Sequence, residues 1–305
     1  MPPSSVVIVG PGALGTALGH ALTIAGVPVV AIAGRDPSRA ERLASGIPGA
    51  RVVPMGEAGG AGSIVLLTVA DSAIEAACAA IIAHRDTLVA HVSGSRDVAA
   101  LEAARTRGAL VGSLHPLAAV ARGEFAGVRQ PETYRATFAG AAFAIEGNDA
   151  AAARLAPLVL AVGGRPFRIS GVDKPLYHLG ASMLAAFSAG IAQVAWEQMR
   201  RAGADADLAS AGVSHLLRTV ADNIGRAPNP AAAQTGPVAR GDAAGVTRQA
   251  RVALALSAEA QAIYRVHCAH AVALARRAGS IDDGTATRLL AALDATAEGP
   301  HDGSA

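Results

Sequence analysis

Hydrophobic and polar positions divide the chain into two unlike stretches. In the first, short unbroken apolar runs alternate with longer mixed segments. Val6 to Val9, the stretch VPVVAIA ending at Ala33, Ile64 to Val69, Leu88 to Val92 and Leu110 to Leu114 are such runs. Runs this short, without polar alternation, fit strands buried on both faces of a parallel sheet. Helical stretches separate them at about 72–84 and 97–107. AAFAIEG and GRPFRIS, on either side of a helical stretch at about 149–162, predict two more strands, so this part closes near residue 170. After Ser170-Gly171 the strand pattern stops, and Ala-rich helical patterns run over about 175–201, 205–224, 246–278 and 282–297. The expected architecture is an α/β doubly wound domain over 1–170 followed by an all-α domain over 171–305.

The turn after the first strand gives the α/β part its chemistry. Gly10, Gly12 and Gly15, within Gly10-Pro11-Gly12-Ala13-Leu14-Gly15, form GxGxxG between a strand and a helix. In that setting the first glycine permits the sharp turn, the second admits a pyrophosphate, and the third lets the helix pack close to the strand. Free N–H groups at the helix N-terminus favour the phosphates. The second strand ends Ala33-Gly34-Arg35, with no carboxylate before Asp36. A ribose 2′-OH wants an acidic residue there and a 2′-phosphate wants an arginine, so Arg35, helped by Ser38 or Arg39, points to NADPH. The competing reading makes Arg35 a solvated loop residue and Asp36 the cap of the next helix. Ligands on such sheets bind beyond the carboxyl ends of the strands. Val69, Ala70 and Asp71 (an expected N-cap), Ser93, Gly94 and Ser95, and His115 with Pro116 all follow strands and are expected to face that crevice. His115 is the candidate proton donor among them; Ser93 and Ser95 read also as turn formers, and His91 as a core histidine.

Bulk composition narrows the partners. The chain has 305 residues, 51% apolar and 3% aromatic, with a net charge of +2. The arginines are scattered and aromatics are few, which argues against nucleic acid and against an anionic membrane surface. Cys78 and Cys268 lie far apart and form no CxxC pair, as expected of reduced, buried thiols in a cytoplasmic protein. The N-terminal apolar stretch is interrupted by glycines, His20 and Pro28, so a membrane span is not expected there.

The helical part holds the only lysine, Lys174, in VDKPLYHLG. Asp173 reads as an N-cap and Pro175 fits the first turn. A cation at the positive end of a helix has a lowered pKa, and His178 lies one turn on, on the same face. A lysine, unlike an arginine, can give up a proton, so Lys174 and His178 are candidate catalytic residues beside His115. The alternative is a surface lysine and an incidental histidine. In TGPVARGD, Thr235 begins a turn and Arg240 is placed to hold a substrate carboxylate, unless it pairs with Asp242. His267, Cys268 and His270 share a helix with Tyr264, but no second ligand cluster stands nearby, so no metal is expected.

GPGALG, TVADSAI, HVSGS, GSLHPL, KPLYHLGA and TGPVARGD, in that order over nearly the whole chain, resemble the family of NADP-dependent oxidoreductases that join a Rossmann-like domain to a helical domain of unknown function. That family is similar to pyrroline-5-carboxylate reductase and to the 3-hydroxyacid dehydrogenase and ketopantoate reductase group. The resemblance implies reduction of a small carboxylated 2-oxo acid such as ketopantoate, with a lysine at the Lys174 position as proton donor. It also implies a homodimer formed through the helical domain. An asparagine is common about two turns after the histidine; Ala186 stands near that place here, with Ser182 or Ser188 as possible substitutes. A cyclic imine reductase is the nearest alternative, and a non-catalytic nucleotide-binding or redox-sensing dimer the more distant one. A deazaflavin partner is a weaker option.

Overall fold

A computed structural model of the chain describes residues 4–121 and 131–295. Its internal contacts divide it into two compact units, residues 1–187 and 188–305.

The first unit is built on one eight-stranded sheet of order β3-β2-β1-β4-β5-β6-β7-β8. The strands are β1 (Val6–Val9), β2 (Val29–Ala33), β3 (Arg51–Val52), β4 (Ile64–Leu67), β5 (Leu88–His91), β6 (Leu110–Pro116), β7 (Ala142–Gly147) and β8 (Arg165–Arg168). The helices are α1 (Ala13–Ile24), α2 (Pro37–Ser45), α3 (Ala58–Ala61), α4 (Ile74–Ala80), α5 (Glu102–Thr106), α6 (Pro131–Phe138), α7 (Asp149–Ala161) and α8 (Lys174–Ser182). From β3 to β6 every pairing is parallel. The order reverses direction between β1 and β4, which opens a crevice at the carboxyl ends of these strands.

Apolar strand residues fill two cores, one on each face of the sheet. Val6, Ile8, Ile64, Leu66 and Leu88 join Leu18 and Leu22 of α1 on one side. Val7, Val9, Val65, Leu67 and Val89 join Ile74, Cys78 and Leu101 on the other. This alternation is why the strands read as continuous apolar runs: both sets of side chains leave water.

Four expectations change here. β6 does not stop at Leu114; His115 and Pro116 remain in the strand because β7 pairs with it antiparallel, from Gly112↔Gly147 to Pro116↔Phe143. β7 and β8 are parallel to each other, so the last two strands run against the other six. The helical stretches at 72–84 and 97–107 are shorter than expected and begin as 3-10 turns at Asp71–Ala73 and Val98–Leu101. The unit also continues past residue 170 to Phe187, because Lys174 at the start of α8 is buried against the sheet.

The second unit contains α9 (Ser188–Arg201), α10 (Ala206–Arg226), α11 (Gly236–Ala239), α12 (Ala243–Leu256), α13 (Ala258–Arg277) and α14 (Asp283–Asp294). Its core comprises Val246, Ala250, Cys268, Val272, Ala275, Ile281, Leu289 and Leu293. The pattern at 246–278 is two helices, not one. Ser257 is extended and its Oγ accepts from Ala260 N–H, capping α13 where α12 has ended. α10 buries only Ala209, and Leu216, Leu217, Val220 and Ile224 are exposed along it. The helical run Lys174–Arg201 is long and apolar enough, by length and composition, to cross a membrane. Its apolar residues Leu176, Leu179, Met183 and Phe187 form one stripe, however, while Lys174, His178 and Ser182 lie off it, which is an amphipathic pattern.

Candidate functional site

The glycine turn shows a separate physical reason for each of its glycines. Gly10 has φ +100°, and a Cβ there would lie 2.7 Å from Val69 Cγ1. A Cβ on Gly15 would come within 2.4 Å of Gly10 O and of Thr68 Oγ1, so α1 sits as close to the strands as a backbone allows. Gly12 differs, since a Cβ there would meet nothing within 4 Å. Protein packing does not require that glycine; open space in front of it does not conflict with a ligand approaching the backbone. α1 has no side-chain cap and no acidic residue in its first turn, so its N-terminal N–H groups and dipole face that space without competition. Pro11 packs on Gly34, where a Cβ would lie 2.6 Å from Pro11 Cδ, which ties the β1 and β2 turns together. Ala13 and Leu14 begin α1 beside them.

Asp36 caps α2, accepting from Arg39 N–H, and also pairs with the Arg39 guanidinium. That matches the capping half of the competing reading and ties up Arg39. Arg35 is exposed and makes no ion pair among the described residues. Val69 is half-buried and Ala70 exposed after β4. Asp71 is not a side-chain N-cap as expected: its Oδ2 accepts from Ser95 Oγ at 2.6 Å, linking the loops after β4 and β5. The Arg96–Glu75 ion pair joins the same two segments.

The loop after β5 is held from beneath by His91, which is fully buried. His91 Nε2 lies 3.0 Å from Asp97 O, which can only accept, and Nδ1 lies 3.2 Å from Ser93 N, whose hydrogen can only be donated. The ring is therefore the neutral Nε2–H tautomer. Burial, aided by the Lys174 charge, holds its pKa down at about 4. Ser93 Oγ accepts from Ser95 N–H and Arg96 N–H, and so shapes the turn. Gly94, buried at the top of this turn, is where two histidines meet. A Cβ on Gly94 would lie 2.6 Å from His178 Nδ1 and 2.8 Å from His115 Nε2.

His115 and His178 stand edge to face with centroids 5.8 Å apart. His115 Nδ1 is 2.8 Å from Tyr177 Oη. Burial raises the Tyr177 pKa to about 12, so the phenol keeps its proton; where it donates that proton to Nδ1, Nε2 is the protonated nitrogen of His115. Burial, with the charges of His178 and Lys174, lowers the His115 pKa to about 4. His178 Nδ1 is buried and has no hydrogen-bond partner among the described residues, while Nε2 has a long contact of 3.4 Å to Ser182 Oγ. Directly after Ser182 the helix widens to a π-turn over Met183–Phe187, which includes Ala186.

Lys174 does not take the position expected of a proton donor. It is fully buried; Nζ donates to Ser113 Oγ at 2.8 Å and pairs with Glu146 Oε2 at 3.3 Å. Its pKa is lowered as expected, but chiefly by burial, against the opposing pull of Glu146. Asp173 makes no capping bond to the helix; its carboxylate accepts from Ser170 Oγ. Thr235 and Arg240 belong to the second unit, where Thr235 precedes α11 without a side-chain cap and Arg240 is exposed. Asp242 does not pair with Arg240; it caps α12 and contacts Arg248. Gln234 Oε1, next to Thr235, is buried without a partner among the described residues. Sequence reasoning did not single out Tyr177, Glu146, Ser113 or Gln234. Tyr177 alone carried a signal, three residues after Lys174 in the same stretch. An open cavity of about 880 Å³ near Leu110, Glu146, Asn148 and Arg168 lies at the far end of β6 from His115. Its arginines are engaged already, Arg105 by Glu102 and Arg168 by Asp149.

Residues 2–116 match the Rossmann-like domain family, and residues 141–271 match the domain of unknown function DUF2520. The chain thus joins these two domains, and the DUF2520 match includes β7, α7 and β8 of the first unit. Comparison with curated proteins gives no match. Among solved structures, a provisionally assigned NADP oxidoreductase from Bacteroides fragilis is 22% identical with TM-score 0.67, covering 86% of this chain and 95% of its own. A protein from Thermotoga maritima is 21% identical with TM-score 0.66, covering 89% and 98%. Pyrroline carboxylate reductase from Plasmodium falciparum, solved with NADP bound, is 11% identical with TM-score 0.58, covering 97% and 98%. At these identities the likeness is one of fold.

Proposed function

We propose that this union of a Rossmann-like domain with a DUF2520 domain is an NADPH-dependent oxidoreductase that reduces the carbonyl of a small 2-oxo acid. The observation that carries the reading is the convergence of His115 Nε2 and His178 Nδ1 at Gly94, on the same edge of the sheet as the glycine turn. The residues present fit the cofactor. The open space at Gly12 and the uncapped α1 N-terminus suit a pyrophosphate, and exposed Arg35 suits a 2′-phosphate. The nicotinamide would supply hydride; the other steps belong to the chain.

Hydride addition to a carbonyl leaves negative charge on its oxygen. Because His115 is neutral, its Nε2–H serves as a hydrogen-bond donor to that oxygen, where a charged ring would be costly to bury. As the oxygen takes the Nε2 proton, Nδ1 can take the Tyr177 phenol proton across their 2.8 Å contact, and solvent restores Tyr177. His178 Nδ1, buried and without a partner among the described residues, is placed to bind a second polar atom of the same substrate. A cyclic imine is the alternative substrate, supported by the fold likeness to proteins named pyrroline carboxylate reductase. The exposed apolar residues of α10 support a homodimer formed through the helical unit.

The test is NADPH consumption with a panel of 2-oxo acids and cyclic imines, beside separate NADPH and NADH binding titrations. Turnover by the wild type, lost in His115→Asn with NADPH binding retained, is expected. No binding of either nucleotide would overturn the reading in favour of a non-catalytic role.

A further inference from the structure

We propose that Lys174 is a positioning residue: with Ser113 it locks the register of α8 along β6 and so sets the contact between Tyr177 and His115. The inference rests on the reading of His115 as the group that faces the reacting oxygen.

The geometry is a ladder of two rungs. Ser113 and His115 are two apart on β6 and so share a face. Lys174 and Tyr177 are three apart on α8 and so share a face. Lys174 Nζ meets Ser113 Oγ at 2.8 Å, and Tyr177 Oη meets His115 Nδ1 at 2.8 Å. The second rung lies at the edge of the crevice; the first is sealed. Lys174 is 0% exposed and the Glu146 side chain 8%. Glu146 sits opposite Ser113 across the β6–β7 pairing, accepts from Ser113 Oγ at 3.4 Å and accepts from Val98 N–H at 3.2 Å. Two adjacent strands and the segment leading into α5 therefore hold the carboxylate that pairs with the lysine.

A buried ion pair is a poor source of net stability; its best-attested use is to specify register. If α8 slid or turned by one residue, Nζ would lose both partners while remaining in a dry interior. An apolar side chain at position 174 would tolerate the slide. This also gives a reason for a lysine in a chain that otherwise uses arginine. A compact ammonium on a flexible stem can reach a hydroxyl and one carboxylate oxygen in a closed pocket, where a planar guanidinium would leave donors unmatched. The charge has a second effect. Lys174 and His178 both oppose protonation of His115, with His91 adding to them and Asp71 opposing.

The apolar pattern of α8 makes such a lock necessary. Leu176 and Leu179, 74% and 56% exposed, lie away from the sheet, so hydrophobic packing does not fix how this helix sits on β6.

The experiment is NMR of the full chain with labelled histidine and tyrosine rings, which requires no substrate. Ser113→Ala removes the first rung and keeps the charge pair. Lys174→Met with Glu146→Gln removes the pair without leaving a lone buried charge. In both, we expect an unchanged circular dichroism spectrum, NADPH affinity within twofold of wild type, loss of the Tyr177–His115 ring contact, and His115 titrating measurably higher than in the wild type. With an active substrate in hand, kcat should fall at least tenfold while KM for NADPH holds. Should the double variant fail to fold, Ser113→Ala decides alone. An unmoved His115 titration and an intact ring contact in Ser113→Ala would overturn the proposal, even if wild-type turnover and its loss in His115→Asn bore out the proposed activity. Conversely, a moved titration in a protein that reduces nothing would sustain the lock and remove the reductase.

Discussion

His91 should make the first unit acid-sensitive in a way that can be calculated. Its two ring nitrogens are committed to opposite roles, donation to Asp97 O and acceptance from Ser93 N–H. Protonating Nδ1 would set an N–H against an N–H in a fully buried place. The folded pKa is about 4, against an ordinary histidine value of 6.5. A histidine depressed in this way adds nothing unfavourable above the unfolded value. As pH falls from there, the unfolded chain binds a proton that the fold refuses, and stability is lost until pH reaches the folded value. The loss integrates to about 2 kcal/mol between pH 8 and 5, and about 3 kcal/mol by pH 4. His91→Asn supplies a non-titrating acceptor for Ser93 N–H and provides the control. Urea unfolding followed by far-UV circular dichroism at pH 8, 7, 6 and 5 should show wild-type stability falling more than that of the variant, by about 2 kcal/mol over the range. The subtraction removes carboxylates and His115, which titrate in both. Parallel curves, within about 0.5 kcal/mol of each other, would mean that the ring is not locked neutral and that the tautomer argument fails.

Gly94→Ala would thrust a methyl between the two histidines, at 2.6 and 2.8 Å, so turnover should drop about a hundredfold while NADPH binding persists. Gly12→Ala meets no protein atom, so thermal stability should change by less than about 0.5 kcal/mol, yet calorimetry should show NADPH binding weakened at least about tenfold. Arg35→Ala should weaken NADPH about ten- to a hundredfold and leave NADH unaffected, as removal of one charge-assisted phosphate contact predicts. Leu216→Glu with Val220→Glu, on the exposed face of α10, should turn a dimer into a monomer by light scattering; a monomeric wild type would contradict the dimer.

The sheet was legible because its determinants are local: short apolar runs, a glycine turn, and turn-forming residues between them. The glycine roles could be read for the same reason. What was not legible depends on partners remote in sequence. β6 extends through Pro116 only because a strand beginning at Ala142 pairs with it antiparallel, and nothing near His115 announces that. The orientation of α8 was actively disguised. Its apolar stripe, Leu176, Leu179 and Met183, is exposed, while its one charged residue after the cap position is the most buried. A hydrophobic pattern would turn the helix the other way, which is why Lys174 read as a residue of the crevice. The break at Ser257 was legible in principle, since Ser-Ala-Glu-Ala is an N-cap followed by a good helix start, but the apolar pattern runs through it uninterrupted.

The seal around Lys174 has a chemical consequence for handling the protein. The chain has no other lysine, so the folded molecule presents no side-chain amine to solvent. Acylating reagents, amine-directed cross-linkers and reductive methylation have no lysine to act on until α8 lifts from the sheet. The rate at which Lys174 becomes modified is then a clock for that opening, readable by mass spectrometry at a single residue.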